Sequence, residues 1–143
     1  MHLKDMLKKG LGDSYKESKE NEIESSMCEL IERVFNTRTL LHFAHLSTKS
    51  YAAHKALGDM YDAIVDNVDE IAEVYMGKFG LLKDLEVEAC KVPSDIIRHI
   101  KEEAQWVDEN RMFICKGYKP VDNLIDGLLA TYSRTIYKLE NLS

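Results

Sequence analysis

The chain has 143 residues, a length that suits one domain with a single sizeable core. Its formal net charge of −6 argues against nonspecific nucleic-acid binding, and no stretch approaches the roughly 20 apolar residues of a membrane span. The few prolines and glycines favour long helices, and the N-terminus has no apolar secretion core. The chain has three cysteines without paired spacing, Cys28, Cys90 and Cys115. Such cysteines fit a reducing compartment, so the predicted location is cytoplasmic.

Residues 1–21 are interpreted as an N-terminal arm preceding a helical domain at residues 22–143. Its first part, Met1 to Gly12, has the pattern of a short amphipathic helix, with apolar positions Leu3, Met6, Leu7 and Leu11. Residues 12–21 are polar and mixed in charge, which is typical of a linker. The arm's lysines are offset by acidic residues, so the sequence predicts little DNA binding.

The rest of the chain has the apolar spacing of four long helices. Steps of three and four residues predict helices at about 22–46, 48–76, 95–114 and 121–142. A short crossing helix is expected at 81–90, between the second and third long helices. No alternating strand pattern appears. These elements predict an all-α four-helix bundle.

Two histidines and two carboxylates in the first half of the chain have the chemistry of a metal site. Imidazole nitrogen with carboxylate oxygen suits iron, zinc or manganese. At about 100° per residue, the carboxylates share one face of the second helix, beside its apolar stripe. Several turns separate His54 from the carboxylates, so one ion needs two antiparallel copies of this helix, related by a two-fold axis. The candidate ligands are His42, His54, Asp69 and Glu73, with Asp62 on the same face.

Structural explanations of the same residues remain open. The run of acidic residues on the second helix also fits a solvated helix face. His54, at the edge of the apolar stripe, also fits a hydrogen-bonded boundary residue. His45 lies near the core stripe of the first helix and is interpreted as structural, and His2 and His99 are assigned no role.

The run from His42 to Glu73 resembles the Dps family, the miniferritins of the ferritin-like superfamily. In that family two histidines lie twelve residues apart, and an Asp and a Glu follow the second histidine by fifteen and nineteen. This chain has those spacings, in the contexts Tyr51-Ala-Ala-His54-Lys-Ala-Leu and Val68-Asp-Glu-Ile-Ala-Glu73. The resemblance extends over about residues 25–142. The chain also resembles small uncharacterised ferritin-like proteins of tailed bacteriophages.

One expected ligand is missing from the pattern. The family has a carboxylate four residues after the second histidine, and this chain has Gly58 there. Asp59 points about 100° further round the helix, whereas Asp62 lies closer to the expected direction. The departure predicts a weakened diiron centre or a single-ion site.

The resemblance implies a ferroxidase. Ferrous iron would bind at a two-fold dimer interface, with His42 and His54 from one subunit opposite Asp69 and Glu73 from the other. Oxygen or peroxide would oxidise the iron, and the product would mineralise inside a hollow dodecamer. The alternative is a nonenzymatic helical structural or assembly protein, for example a viral one, that retains the ferritin-like fold, since a fold alone does not set function.

Overall fold

The computed structural model describes residues 26–143, so the predicted arm and the first residues of the first predicted helix lie outside the described residues. The helices are α1 over residues 26–47, α2 at Tyr51–Phe79, α3 at Ile96–Cys115 and α4 at Lys119–Asn141. No strand occurs between residues 26 and 143. The predicted all-α fold with four long helices is confirmed.

Polar caps and glycines set the ends of the helices. The Ser50 hydroxyl accepts a hydrogen bond from the Ala53 N–H at 3.2 Å at the start of α2, and Gly80 ends that helix with a φ of 98°. Asp95 caps α3 by accepting from the Arg98 N–H at 3.0 Å. These bonds satisfy backbone donors that would otherwise have no partner at a helix start.

Contacts between the helices give an up-down-down-up bundle. His54 at the start of α2 meets His45 near the end of α1, so these two helices are antiparallel. His99 bonds Thr37, and Glu103 bonds the earlier Arg33, so α3 also runs opposite to α1. Helices α2 and α3 are therefore parallel, and the chain must return along the bundle between them.

The return is made by residues 80–95, which we call the strap. The prediction of a crossing helix at 81–90 is wrong, because the whole strap is non-helical. A parallel return must cover about the 30 Å length of the 20-residue α3, and 16 helical residues would rise only about 24 Å. The strap follows α1 instead: the Glu86 N–H donates to Glu32 Oε1 at 2.8 Å, and Cys90 Sγ lies 3.0 Å from Asn36 Oδ1.

One continuous hydrophobic core joins all four helices. The apolar stripes of α1, α2 and α4 supply most of it. The helical spacing of α3 also predicts Met112 as a core residue, and this prediction is wrong, because Met112 is 62% exposed. Met112 follows the buried Val107 by five residues, which turns it about 140° away from the core. No helix in the described part of the chain is long and apolar enough to span a membrane. The central residues are Leu30, Val34, Leu57, Ile64, Ile71, Ile100, Ile125, Leu128 and Tyr132.

Candidate functional site

Two histidines join the end of α1 to the start of α2. His45 Nδ1 lies 2.6 Å from the His54 carbonyl oxygen, and His54 Nδ1 lies 2.8 Å from the His45 carbonyl oxygen. Their rings stack with centroids 3.6 Å apart. We call this pair the histidine clasp. Because a carbonyl oxygen can only accept, both Nδ1 atoms carry a proton, which leaves Nε2 as the ring atom that can offer a lone pair.

His42 extends this cluster along the seam between α1 and α2. Its ring stacks on Tyr61 at 4.3 Å and meets His45 edge-on at 6.0 Å. The Arg38 guanidinium lies 5.4 Å from the centre of the Tyr61 ring. The structure therefore places the two predicted histidine ligands at the same end of the bundle, with His45 between them.

The predicted carboxylate ligands lie elsewhere on α2. Asp69 and Glu73 are exposed, and the 15 residues from His54 to Asp69 correspond to about 22 Å along the helix. Asp62 lies between these ends, in a shallow hollow that also includes Arg38 and Tyr61. Among residues 26–143, one chain brings no three His, Cys, Asp or Glu side chains close enough to hold a metal ion. The four predicted ligands are not brought together within one chain.

Gly58 has a packing reason to be glycine. A Cβ atom at this position would lie 3.0 Å from His45 Cε1 and 3.1 Å from His45 Nδ1. The His45 ring cannot move away freely, because its stacking and its hydrogen bond to the His54 carbonyl hold it in place. The clasp thus occupies the space that any side chain at position 58 would need.

Replacing Gly58 with alanine tests this contact. Alanine in a helix interior is favoured over glycine by about 1 kcal/mol, so Gly58→Ala should stabilise a His45→Ala variant by about that amount. In the wild-type background we expect the gain to vanish or reverse, because the clasp must shift. Urea unfolding of the four proteins gives the coupling energy. Equal effects of Gly58→Ala in both backgrounds would show that the close approach has no energetic consequence.

A buried polar group between α1 and α3 is absent from the sequence-based prediction. Arg33 Nη1 donates to Glu103 Oε1 at 2.9 Å, and Arg33 Nε donates to Glu29 Oε1 at 3.1 Å. The guanidinium also lies 4.3 Å from the centre of the Trp106 ring. Glu103 is only 8% exposed. The sequence could have indicated this ion pair through its spacing. Glu103 lies between Ile100 and Val107 on the apolar stripe of α3, where a charged residue needs a partner.

The surroundings of this group alter its acid–base properties. Burial raises the pKa of Glu103 against the opposing charge of Arg33, and burial lowers the pKa of His99. His99 Nε2 lies 3.1 Å from the Oγ1 atom of the fully buried Thr37. Within residues 26–143, Glu103 Oε2 and the Tyr132 hydroxyl are buried without a hydrogen-bond partner. A buried carboxylate already paired with arginine is a structural ion pair rather than a free metal ligand.

Comparison with known proteins shows that the chain is similar to an uncharacterised phage protein. It is 28% identical over 99 residues to an uncharacterised 14.6 kDa protein from the mobD–ri intergenic region of Enterobacteria phage T4, covering 68% of this chain and 75% of the phage protein. No solved structure matches. The model of a family of unknown function, DUF5856, matches residues 45–139. Since this match covers most of the described bundle, including the clasp residues and the acidic face of α2, the chain belongs to that family.

Proposed function

We propose that the protein forms a two-fold dimer through the outer face of α2 and binds a divalent transition metal there. Ferrous iron is the proposed substrate, and its oxidation is the proposed reaction. The supporting observation is the histidine clasp. Histidines that bind metals usually donate the other ring N–H to a backbone carbonyl or a carboxylate, which fixes the ring and leaves a lone pair for the metal. His54 has this arrangement through its Nδ1.

The acidic face of α2 supplies the second half of the proposed site. Asp62, Asp69 and Glu73 are exposed, and none of the three forms an ion pair with the described residues. Two antiparallel copies of α2 would bring the His54 end of one copy to the Asp69 and Glu73 end of the other. The axis would then pass near residues 62–64, the midpoint of this span. There Arg38, beside Asp62 in the same hollow, would offset the charge of the facing carboxylates.

The connectivity of the bundle also supports the proposal. A single long crossover between parallel second and third helices is the arrangement of ferritin-like bundles. The donor set combines imidazole nitrogen with carboxylate oxygen, which suits ferrous iron and also zinc or manganese. In this proposal the protein positions the ion and supplies negative charge, while the ion supplies the redox chemistry. Analytical ultracentrifugation of the protein would also show whether the dimers assemble further, into a dodecamer.

A nonenzymatic assembly protein is the second candidate, and the packing around Gly58 favours it. The clasp fills the position where the miniferritin pattern has a carboxylate, so the histidines also have a structural use in joining α1 to α2. In that case the dimer face of α2 would serve for association alone, and metal would have no effect on it.

Anaerobic titration with ferrous iron, followed by oxygen or peroxide, tests the proposal. We expect saturable binding and rapid ferric absorbance in the wild type, and a loss of both in His54→Ala and in Asp69→Asn/Glu73→Gln. Glu70→Gln is the matched control, because Glu70 is an exposed carboxylate on α2 that points about 100° away from Asp69. Analytical ultracentrifugation and helical circular dichroism check the assembly and the fold of each variant.

Mixing the two inactive variants tests whether the site is shared. A mixed dimer pairs the intact histidine of one chain with the intact carboxylates of the other, at one of its two sites. If the subunits exchange at random, about a quarter of the wild-type activity should return. Recovery would establish the two-fold site. Background-rate oxidation in every protein, wild type included, would remove the ferroxidase proposal and leave the assembly protein.

A further inference from the structure

A second surface of the bundle, distinct from the α2 face, has the features of a docking groove. A groove of about 440 Å³ lies between α1 and the strap. Its α1 wall includes Phe35 and Phe43, which are 45% and 52% exposed, with the buried Leu40 between them. Its strap wall includes the fully exposed Val87 and the exposed Cys90. Large apolar side chains grouped in this way usually mark a binding surface.

The rim of this groove is acidic. Glu32 of α1 and Glu86 and Glu88 of the strap all line it. Glu32 Oε1 accepts the Glu86 N–H, which leaves its carboxylate charge unpaired by any cation among the described residues. A matching occupant is therefore apolar on one side and basic at its edges.

We propose that the occupant is the chain's own N-terminal segment, residues 1–12. Its apolar positions recur at helical spacing, and it carries three lysines against one aspartate. The apolar side chains would fill the groove, and the lysines would meet the acidic rim. The residues concerned are Leu3, Met6, Leu7 and Leu11 for the groove and Lys4, Lys8 and Lys9 for the rim.

The lengths agree with docking on the same molecule. The groove runs along α1 from Glu32 to Phe43, about 17 Å at 1.5 Å per residue, which is also the length of 11 helical residues. The groove's far end lies about 26 Å along α1 from Ser26. The 14 residues from 12 to 25 can span up to about 46 Å. A tethered segment has an effective concentration in the millimolar range, so it outcompetes the same segment of another molecule at ordinary protein concentrations.

Disulfide trapping to the native Cys90 tests this docking in the full-length chain. The variant Met6→Cys places a thiol on the apolar side of the segment, and a disulfide requires the two Cβ atoms to approach to about 4 Å. We expect mild oxidation to join position 6 to Cys90 within one molecule. Non-reducing electrophoresis separates linked monomers from linked dimers, and peptide mapping identifies the cysteines involved.

The matched control adds Leu3→Asp and Leu7→Asp to the Met6→Cys chain. The tether length is unchanged, so random encounters continue while apolar docking is lost. We expect trapping to slow on the order of tenfold, in line with the loss of the docked population. Lys8→Glu/Lys9→Glu should also slow it, and Glu86→Lys/Glu88→Lys should restore it in that background. Equal trapping with and without the aspartates, or trapping only between molecules, would overturn the proposal.

Discussion

Replacing Arg33 with methionine is expected to lower the free energy of unfolding by about 2–3 kcal/mol near neutral pH. Methionine keeps most of the side-chain volume but leaves Glu103 without its cation in a site where that carboxylate is 8% exposed. It also removes the contact of the guanidinium with the Trp106 ring. Breaking a fully buried ion pair costs about 3–5 kcal/mol. The loss expected here is smaller because the Arg33 side chain is one-third exposed, so solvent screens its charge.

The pH dependence of this loss identifies its cause. Burial already raises the pKa of Glu103 from its ordinary value of 4.5, and removing Arg33 takes away the main opposing influence. A carboxyl group with a raised pKa in the folded state destabilises the fold as pH rises through that pKa. Below about pH 4 Glu103 is protonated in both states, so the penalty should largely disappear.

Urea unfolding at about pH 7 and about pH 4 measures both effects. The double variant Arg33→Met/Glu103→Leu is the decisive control, because it removes both charges and leaves apolar groups in their place. We expect it to recover to within about 1 kcal/mol of the wild type at neutral pH. A double variant no more stable than Arg33→Met would show that lost packing, rather than the unpaired Glu103 charge, causes the destabilisation.

The helices were predictable because their signals are local. Apolar residues at steps of three and four specify which face of α2 meets the core, as in Leu57, Tyr61, Ile64, Val68 and Ile71. The chain segment at 81–90 misled the prediction because it is rich in helix formers. Its structure is determined by the distance between the end of α2 and the start of α3, and by bonds to α1 such as that from Glu86 to Glu32. Neither can be read from a window of sequence.

The candidate site was predictable in composition and only partly in geometry. The helical repeat correctly separated His54 from Asp69 and Glu73 and so required a second copy for any shared ion. In the clasp, each histidine ring bonds the backbone carbonyl of the other histidine across the turn between α1 and α2. No rule of residue spacing predicts such a contact. The ion pair of Arg33 with Glu103 joins residues 70 positions apart, and it could be found only by asking what a charged residue on an apolar stripe would bind.

Truncation of Ile64 to alanine should lower the free energy of unfolding by about 2–5 kcal/mol. Ile64 is fully buried at the centre of α2, which packs against α4. Its neighbour Val65 is half-buried and lines the hollow beside Asp62 on the outer face, so Val65→Ala should cost less than about 1 kcal/mol. Thermal and urea unfolding of the two variants give the comparison.

Substitutions at these two positions also separate the two faces of α2. If the outer face alone forms the dimer, Ile64→Ala should still dimerise and bind ferrous iron at temperatures where it remains folded. Val65→Lys should stay folded but lose dimerisation and ferrous-iron binding. It leaves the core intact and places two additional cations, one from each chain, near the proposed axis. Dimers of Val65→Lys as stable as those of the wild type would move the interface away from this face. The shared metal site would then have no geometric basis, because within one chain His54 lies about 22 Å from Asp69.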